Sequence, residues 1–175
     1  MRQDLVDTLV ASWTEELPEV VSTEFELVKR VARLHALLAE VLIAQLNRFG
    51  ITKAEYDVLC ALAAAGEPYR LKPSELAARI LLSSGGTSNV LRRLAGAGLV
   101  DREPDPSDAR SSWVVLTPEG VELTHAAVRE GSRAQAELLA PAAGPATRTA
   151  ADALREVLLG VGDEVVAQPS VRVAR

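Results

Sequence analysis

Apolar positions recur along most of this chain at helical spacing, and one short stretch alternates instead. Between residues 3 and 17, Leu5, Leu9 and Trp13 fall four apart with Val6, Val10 and Leu17 beside them, which predicts a short amphipathic helix. Pro18 follows its last turn, and Thr23 can cap the next helix, predicted over about 23–48. That helix is apolar on nearly every side, with Phe25, Leu27, Val28, Val31, Leu34, Leu37, Leu38, Val41, Leu42 and Leu46. So wide an apolar girth needs burial on two sides, more than one small domain offers, and a partner subunit supplies the second.

Shorter elements follow. Thr52-Lys-Ala-Glu55 is a capping box that opens a helix to about Ala65, with Gly66 as its stop. Lys72-Pro73 opens another, whose inner face is Leu76, Ala77, Ile80 and Leu81. Ser83 or Ser84 caps a third, with Thr87, Val90, Leu91 and Leu94 inward and Gly98 at its end. Two short helices joined by a few residues make a helix-turn-helix. Residues 99–103 and 111–116 read as strands, with Val114 and Leu116 on one face. Pro104, Asp105, Pro106 and Ser107 are turn residues, and the connection reads as too long for a tight hairpin, so its tip should project. Thr117-Pro118-Glu119 starts a helix to about Leu139, Pro141 to Pro145 breaks it, and a last helix is predicted over about 146–166. The predicted organisation is N-terminal helices over 1–50, a winged helix-turn-helix over 51–120, C-terminal helices over 121–168 and a flexible tail over 169–175. The fold class is mainly α with a small β-hairpin wing, flanked by N- and C-terminal dimerisation helices.

Composition agrees with this picture. The 175 residues suit one domain with helical extensions, and 48% are apolar but 3% aromatic, an Ala- and Leu-rich mixture that favours helix. The single Cys60 excludes an internal disulfide framework and reads as a buried, inert thiol in a reducing cytoplasm. Asp4 and Asp7 interrupt the N-terminal apolar stretch, and no apolar run is long enough for a membrane span, so no membrane partner is expected. His35 and His125 lack neighbours at metal-ligand spacing, and neither a cofactor nor a catalytic constellation is apparent. The segment SSGGTSN lacks the spacing of a nucleotide loop. The net charge of −5 is unevenly spread, because residues 70–113 carry +2.

A helix-turn-helix followed by a projecting hairpin has a specific use. The second helix fits the major groove of double-stranded DNA and the wing reaches phosphates or the minor groove. Ser84, Ser88, Asn89, Arg92 and Arg93 lie on the outward side of the reading helix and are candidate DNA contacts. In an extended strand Asp108 and Arg110 point the same way, so the carboxylate can hold a single guanidinium aimed at the groove. The alternative is a winged-helix module that contacts protein.

The residues Asp108, Arg110, Val114, Leu116, Thr117 and Gly120 reproduce the pattern D-x-R-x-x-x-V-x-L-T-x-x-G, preceded by Leu94, Gly98, Leu99 and Val100. On them the chain resembles the MarR family of transcriptional regulators over about residues 25–165. The resemblance implies a homodimer built from terminal helices, binding a pseudo-palindromic operator as a repressor under the control of a small ligand. Trp13, Asp57 and Arg102 further match three of four positions of the family's urate-responsive branch, implying a site for a small aromatic or anionic effector. The fourth position, an Arg in that branch, is Val90 here, so a weak or absent response to urate is expected. Asp57 lies on an otherwise apolar helix face, and Arg102 is its candidate partner.

Overall fold

The computed structural model describes residues 3–80, 84–106, 108–142 and 144–163, and only the backbone of residues 84, 85 and 108–111. Leu81, Ser83 and the tail therefore lie outside the described residues. The chain forms two compact units, 1–136 and 137–175.

The first unit begins with α1 (Leu5–Glu16), capped by Asp4 in a reciprocal box with Asp7. A short 3-10 turn at Pro18–Val20 leads to α2 (Thr23–Arg48). Ser22, not Thr23, caps α2: its hydroxyl accepts the Phe25 N–H and leaves Thr23 as the first helical residue. Both polar residues suit the position, and the extended backbone of Ser22 decides between them. Arg30 of α2 gathers Asp4, Asp7 and Glu26 at 3.0, 2.5 and 2.7 Å, which docks α1 along α2. Only Leu42 and Leu46 of α2 are buried, while Leu27, Val28, Val31, Leu34 and Ile43 stay exposed.

The predicted capping box opens α3 (Lys53–Ala63), where Val58, Leu59 and Leu62 are fully buried. A two-residue strand, β1 (Arg70–Leu71), precedes α4 (Pro73–Ile80) and α5 (Ser84–Gly96). β2 (Val100–Asp105) and β3 (Asp108–Leu116) form the hairpin, and the antiparallel sheet has the order β1-β3-β2. Pairing runs through Pro104↔Ser112 to Asp105↔Asp108, with a register shift between Pro104 and Asp105. Two expectations are corrected here. Pro104 and Asp105 are strand residues, and the connection between the strands is two residues, because the bulge absorbs the mismatch that turn-like residues suggested. The core joins Leu42 and Leu46 to Val58, Leu59, Leu62, Leu76, Leu91, Leu94, Val114 and Leu116.

Thr117 starts α6 (Pro118–Leu139): its hydroxyl accepts the Gly120 N–H at 3.0 Å and donates to the Gly98 carbonyl at 2.7 Å. A side chain at Gly120 would drive its Cβ into the Leu99 carbonyl oxygen. The family-like Gly is thus the point where the α6 backbone meets the chain just ahead of β2.

In the second unit, a 3-10 turn at Ala140–Ala142 precedes α7 (Pro145–Gly160), which ends six residues before the predicted limit. Gly144 enters α7 at φ 100°, a conformation that favours glycine. Val157, Leu158, Leu159 and Val161 are exposed at its end.

Candidate nucleic-acid interface

α5 is divided sharply into two faces. Thr87, Leu91 and Leu94 are buried in the core and Val90 is half-buried, whereas Ser88, Asn89, Arg92 and Arg93 are exposed. Since the helix is anchored along one stripe, its polar stripe projects as a rigid edge of the kind that enters a groove. Asn89 accepts a hydrogen bond from Arg92 at 3.3 Å, so the amide steadies the guanidinium on that edge. Ser84 is the first residue of α5 by its backbone.

Arg93 is more constrained than its spacing suggests. Its Nε lies 3.0 Å from Oε1 of Glu55, a carboxylate only 6% exposed. The other oxygen of Glu55 accepts the N–H and the hydroxyl of Thr52 at 2.7 and 2.8 Å. The cap of α3 and the last turn of α5 are therefore tied through one carboxylate. The Arg93 side chain remains 59% exposed, which leaves part of its fork open. No periodic pattern could have revealed Glu55 as a partner 38 positions away, because both residues satisfy their own helices' patterns.

Asp108 and Arg110 lie on β3 near the hairpin tip, two residues apart on an extended strand. The tip half of the hairpin carries a cluster that the sequence did not announce. Lys72 Nζ meets Asp105 Oδ2 at 3.0 Å, with the Asp105 side chain 4% exposed. Arg70 meets Glu103 at 3.3 Å. Both cations also lie over the Trp113 ring, at 4.9 Å for Arg70 and 5.2 Å for Lys72. The one signal was the presence of a Trp on a strand in a chain so poor in aromatics.

The three candidate effector residues occupy different settings. Trp13 is 39% exposed on α1, and Arg102 is exposed on β2, with Nη1 3.5 Å from the Ser112 hydroxyl. Asp57 is half-buried, and both its oxygens accept Lys53 Nζ, at 2.6 and 2.7 Å. The expected Asp57–Arg102 pairing is corrected: the cation one helical turn earlier takes the carboxylate, as the shorter reach dictates. Among the described residues, no hydrogen bond or ion pair joins any two of Trp13, Asp57 and Arg102. Asp57 instead lines a cleft of about 480 Å³ between α3 and α4 with Cys60, Ala61, Ala64, Arg79 and Ile80. Cys60 is half-buried, and burial raises its thiol pKa while the Tyr56 hydroxyl bonded to it pulls the other way.

Among the described residues no helix is long and apolar enough to cross a membrane. Residues 49–111 match a model of the MarR family. The chain is similar to the HTH-type transcriptional regulator PecS of Dickeya dadantii, 26% identical over 136 residues that cover 78% of this chain and 82% of that one. It is similar to the HTH-type transcriptional regulator MT0903.1 of Mycobacterium tuberculosis, 33% identical over 109 residues covering 61% and 73% of the two chains. Its fold resembles that of Sco3205, a MarR family transcriptional regulator from Streptomyces coelicolor solved in complex with DNA, with a TM-score of 0.67 and 29% identity over 86% of this chain and 95% of that one.

Proposed function

Because the chain belongs to the MarR family of winged helix-turn-helix transcriptional regulators, we propose that it is a homodimeric repressor that binds double-stranded DNA at a pseudo-palindromic operator. The observation that carries the reading is the split face of α5: three residues locked into the core, four polar ones projecting on the other side. Ser84, Ser88, Asn89, Arg92 and Arg93 supply base and phosphate contacts, with Asp108 orienting Arg110 in the wing. A dimer sets two such edges in successive major grooves, so half-sites about one DNA turn apart are expected.

A small aromatic or anionic effector alters the affinity. Trp13 offers a stacking face and Arg102 a counter-charge, while an anion that approaches α3 competes with Asp57 for Lys53. Val90 stands where the urate-responsive branch has Arg, so a different effector is expected.

The test is a titration of a duplex enriched by the protein from a randomised library, repeated across salt concentrations. Regulator binding weakens steeply as salt rises, by counterion release. Failure to enrich any duplex, with a well-folded chain, overturns the reading in favour of a protein-contact module. Urate and simple phenolic acids are then added to the complex. Release by micromolar urate that survives Arg102→Ala would sink both the effector site and the argument from Val90.

A further inference from the structure

The sheet order β1-β3-β2 places β3 between the strand that enters the helix-turn-helix and the outer strand of the wing. Arg70 and Lys72 belong to the first side, Glu103 and Asp105 to the far side, and Trp113 to the strand between them. Arg70 lies opposite Val115 and Trp113 opposite Glu103, so Arg70, Trp113 and Glu103 share one face of the sheet. Each cation crosses the indole and ends on an acid of the far strand, Arg70 on Glu103 and Lys72 on Asp105. They form two straps over one ring.

We propose that the inner strap, Lys72–Asp105 across Trp113, is the latch that fixes the angle of the wing to the reading helices. Lys72, Asp105 and Trp113 are thus positioning residues for DNA binding, not DNA contacts. The proposal rests on the DNA-binding reading above. Lys72 is a rigid anchor, because its N–H donates to Glu75 at 2.8 Å and its carbonyl accepts the Leu76 N–H at 2.9 Å, binding it into the first turn of α4. Asp105 is the last residue of β2, at the register shift next to the two-residue tip. The latch therefore holds the tip end of the wing, where a small change of angle moves Arg110 most. At 4% exposure the Asp105 carboxylate depends on its cation partner, since a buried charge that loses its partner is costly. A lysine committed to this carboxylate and to an indole face has little charge left to offer a phosphate.

The experiment uses the full chain and the enriched duplex. Asp105→Asn is expected to weaken binding about tenfold while the slope of log affinity against log salt stays at the wild-type value. Arg110→Ala, by contrast, should lower that slope by about one. Lys72→Met combined with Asp105→Leu removes both charges together, which spares the fold an orphaned ion. This double variant should melt like the wild type and still bind about tenfold more weakly, whereas Lys72→Arg should recover most of the affinity. In a Trp13→Phe background Trp113 is the sole indole, and its emission should shift to the red in the double variant as the straps loosen. Wild-type binding by the double variant, with unshifted emission, would overturn the latch. A slope reduced by about one in Lys72→Met would overturn it differently, by making Lys72 a phosphate contact. Were the wild type to enrich no duplex, the regulator reading would fall, and the emission shift alone would decide whether the latch exists.

Discussion

Gly120 is the residue whose identity the packing constrains most. The Leu99 carbonyl that a Cβ there would strike also accepts the Thr117 N–H at 3.2 Å, so it cannot retreat. Gly120→Ala is expected to destabilise the fold by about 3 kcal/mol, read as a lower urea midpoint at unchanged slope. Gly131→Ala should cost about 1 kcal/mol, since the atom it meets at 2.6 Å is the flexible Leu42 Cδ1. Cys60 is half-buried rather than fully buried as expected, and that burial raises its thiol pKa, favouring the neutral form. Its contribution to stability is intact below the ordinary thiol pKa of 9.0 and declines as pH rises through the higher folded value. Alkylation at neutral pH should be slower in the native chain than in urea, and equal rates would contradict the burial. At this scale the exposure of Ser88, Asn89, Arg92 and Arg93 was legible, because exposure follows helical spacing. The partners were not. Asp57 found Lys53 on its own helix, a pairing that spacing allows, but Arg93 found Glu55 and Lys72 found Asp105 through the tertiary fold.

Helices were read well at the scale of elements, because periodicity accumulates over many residues and caps mark the ends. The range of α2 and the capping box of α3 stand as the sequence predicts. The hairpin was read less well. Pro104 and Asp105 carry turn propensity, yet cross-strand pairing with β3 overrides it, and β1 has too few residues for any alternation to show. The docking of α1 yields a pH prediction. The Asp7 N–H and Arg30 hold the Asp4 carboxyl below its ordinary value of 3.8. A depressed folded pKa means the contribution is present above that value and is lost as pH falls through the folded one. Acidification below the ordinary value of 3.8 should therefore loosen the docking of α1, reported by a change in Trp13 emission in a Trp113→Phe background. Arg30→Ala should abolish that acid step by loosening α1 at neutral pH as well.

At the scale of the whole molecule, exposed apolar side chains call for a second copy. Leu27, Val28, Val31 and Leu34 on α2 and Val157, Leu158, Leu159 and Val161 at the end of the chain's last described helix stand in solvent in a single protomer. Light scattering should give a dimer at micromolar concentration, and Val28→Asp with Leu34→Asp should weaken it by roughly 3 kcal/mol or more, through burial of unpaired charge. A well-folded wild-type monomer would refute the assembly. The sheet imposes the opposite rule on its own margin. β2 pairs only with β3 among the described strands, so its outer edge offers free backbone groups to any extended chain. That edge carries Asp101, Arg102, Glu103 and Pro104, all exposed. Charge and proline are what blunt a strand against fibre growth. Replacing Arg102, Glu103 and Pro104 together with Val should yield thioflavin-positive aggregates from a chain that otherwise stays clear at high concentration. Wings crowded together on neighbouring stretches of DNA can thus lie edge to edge without knitting into amyloid.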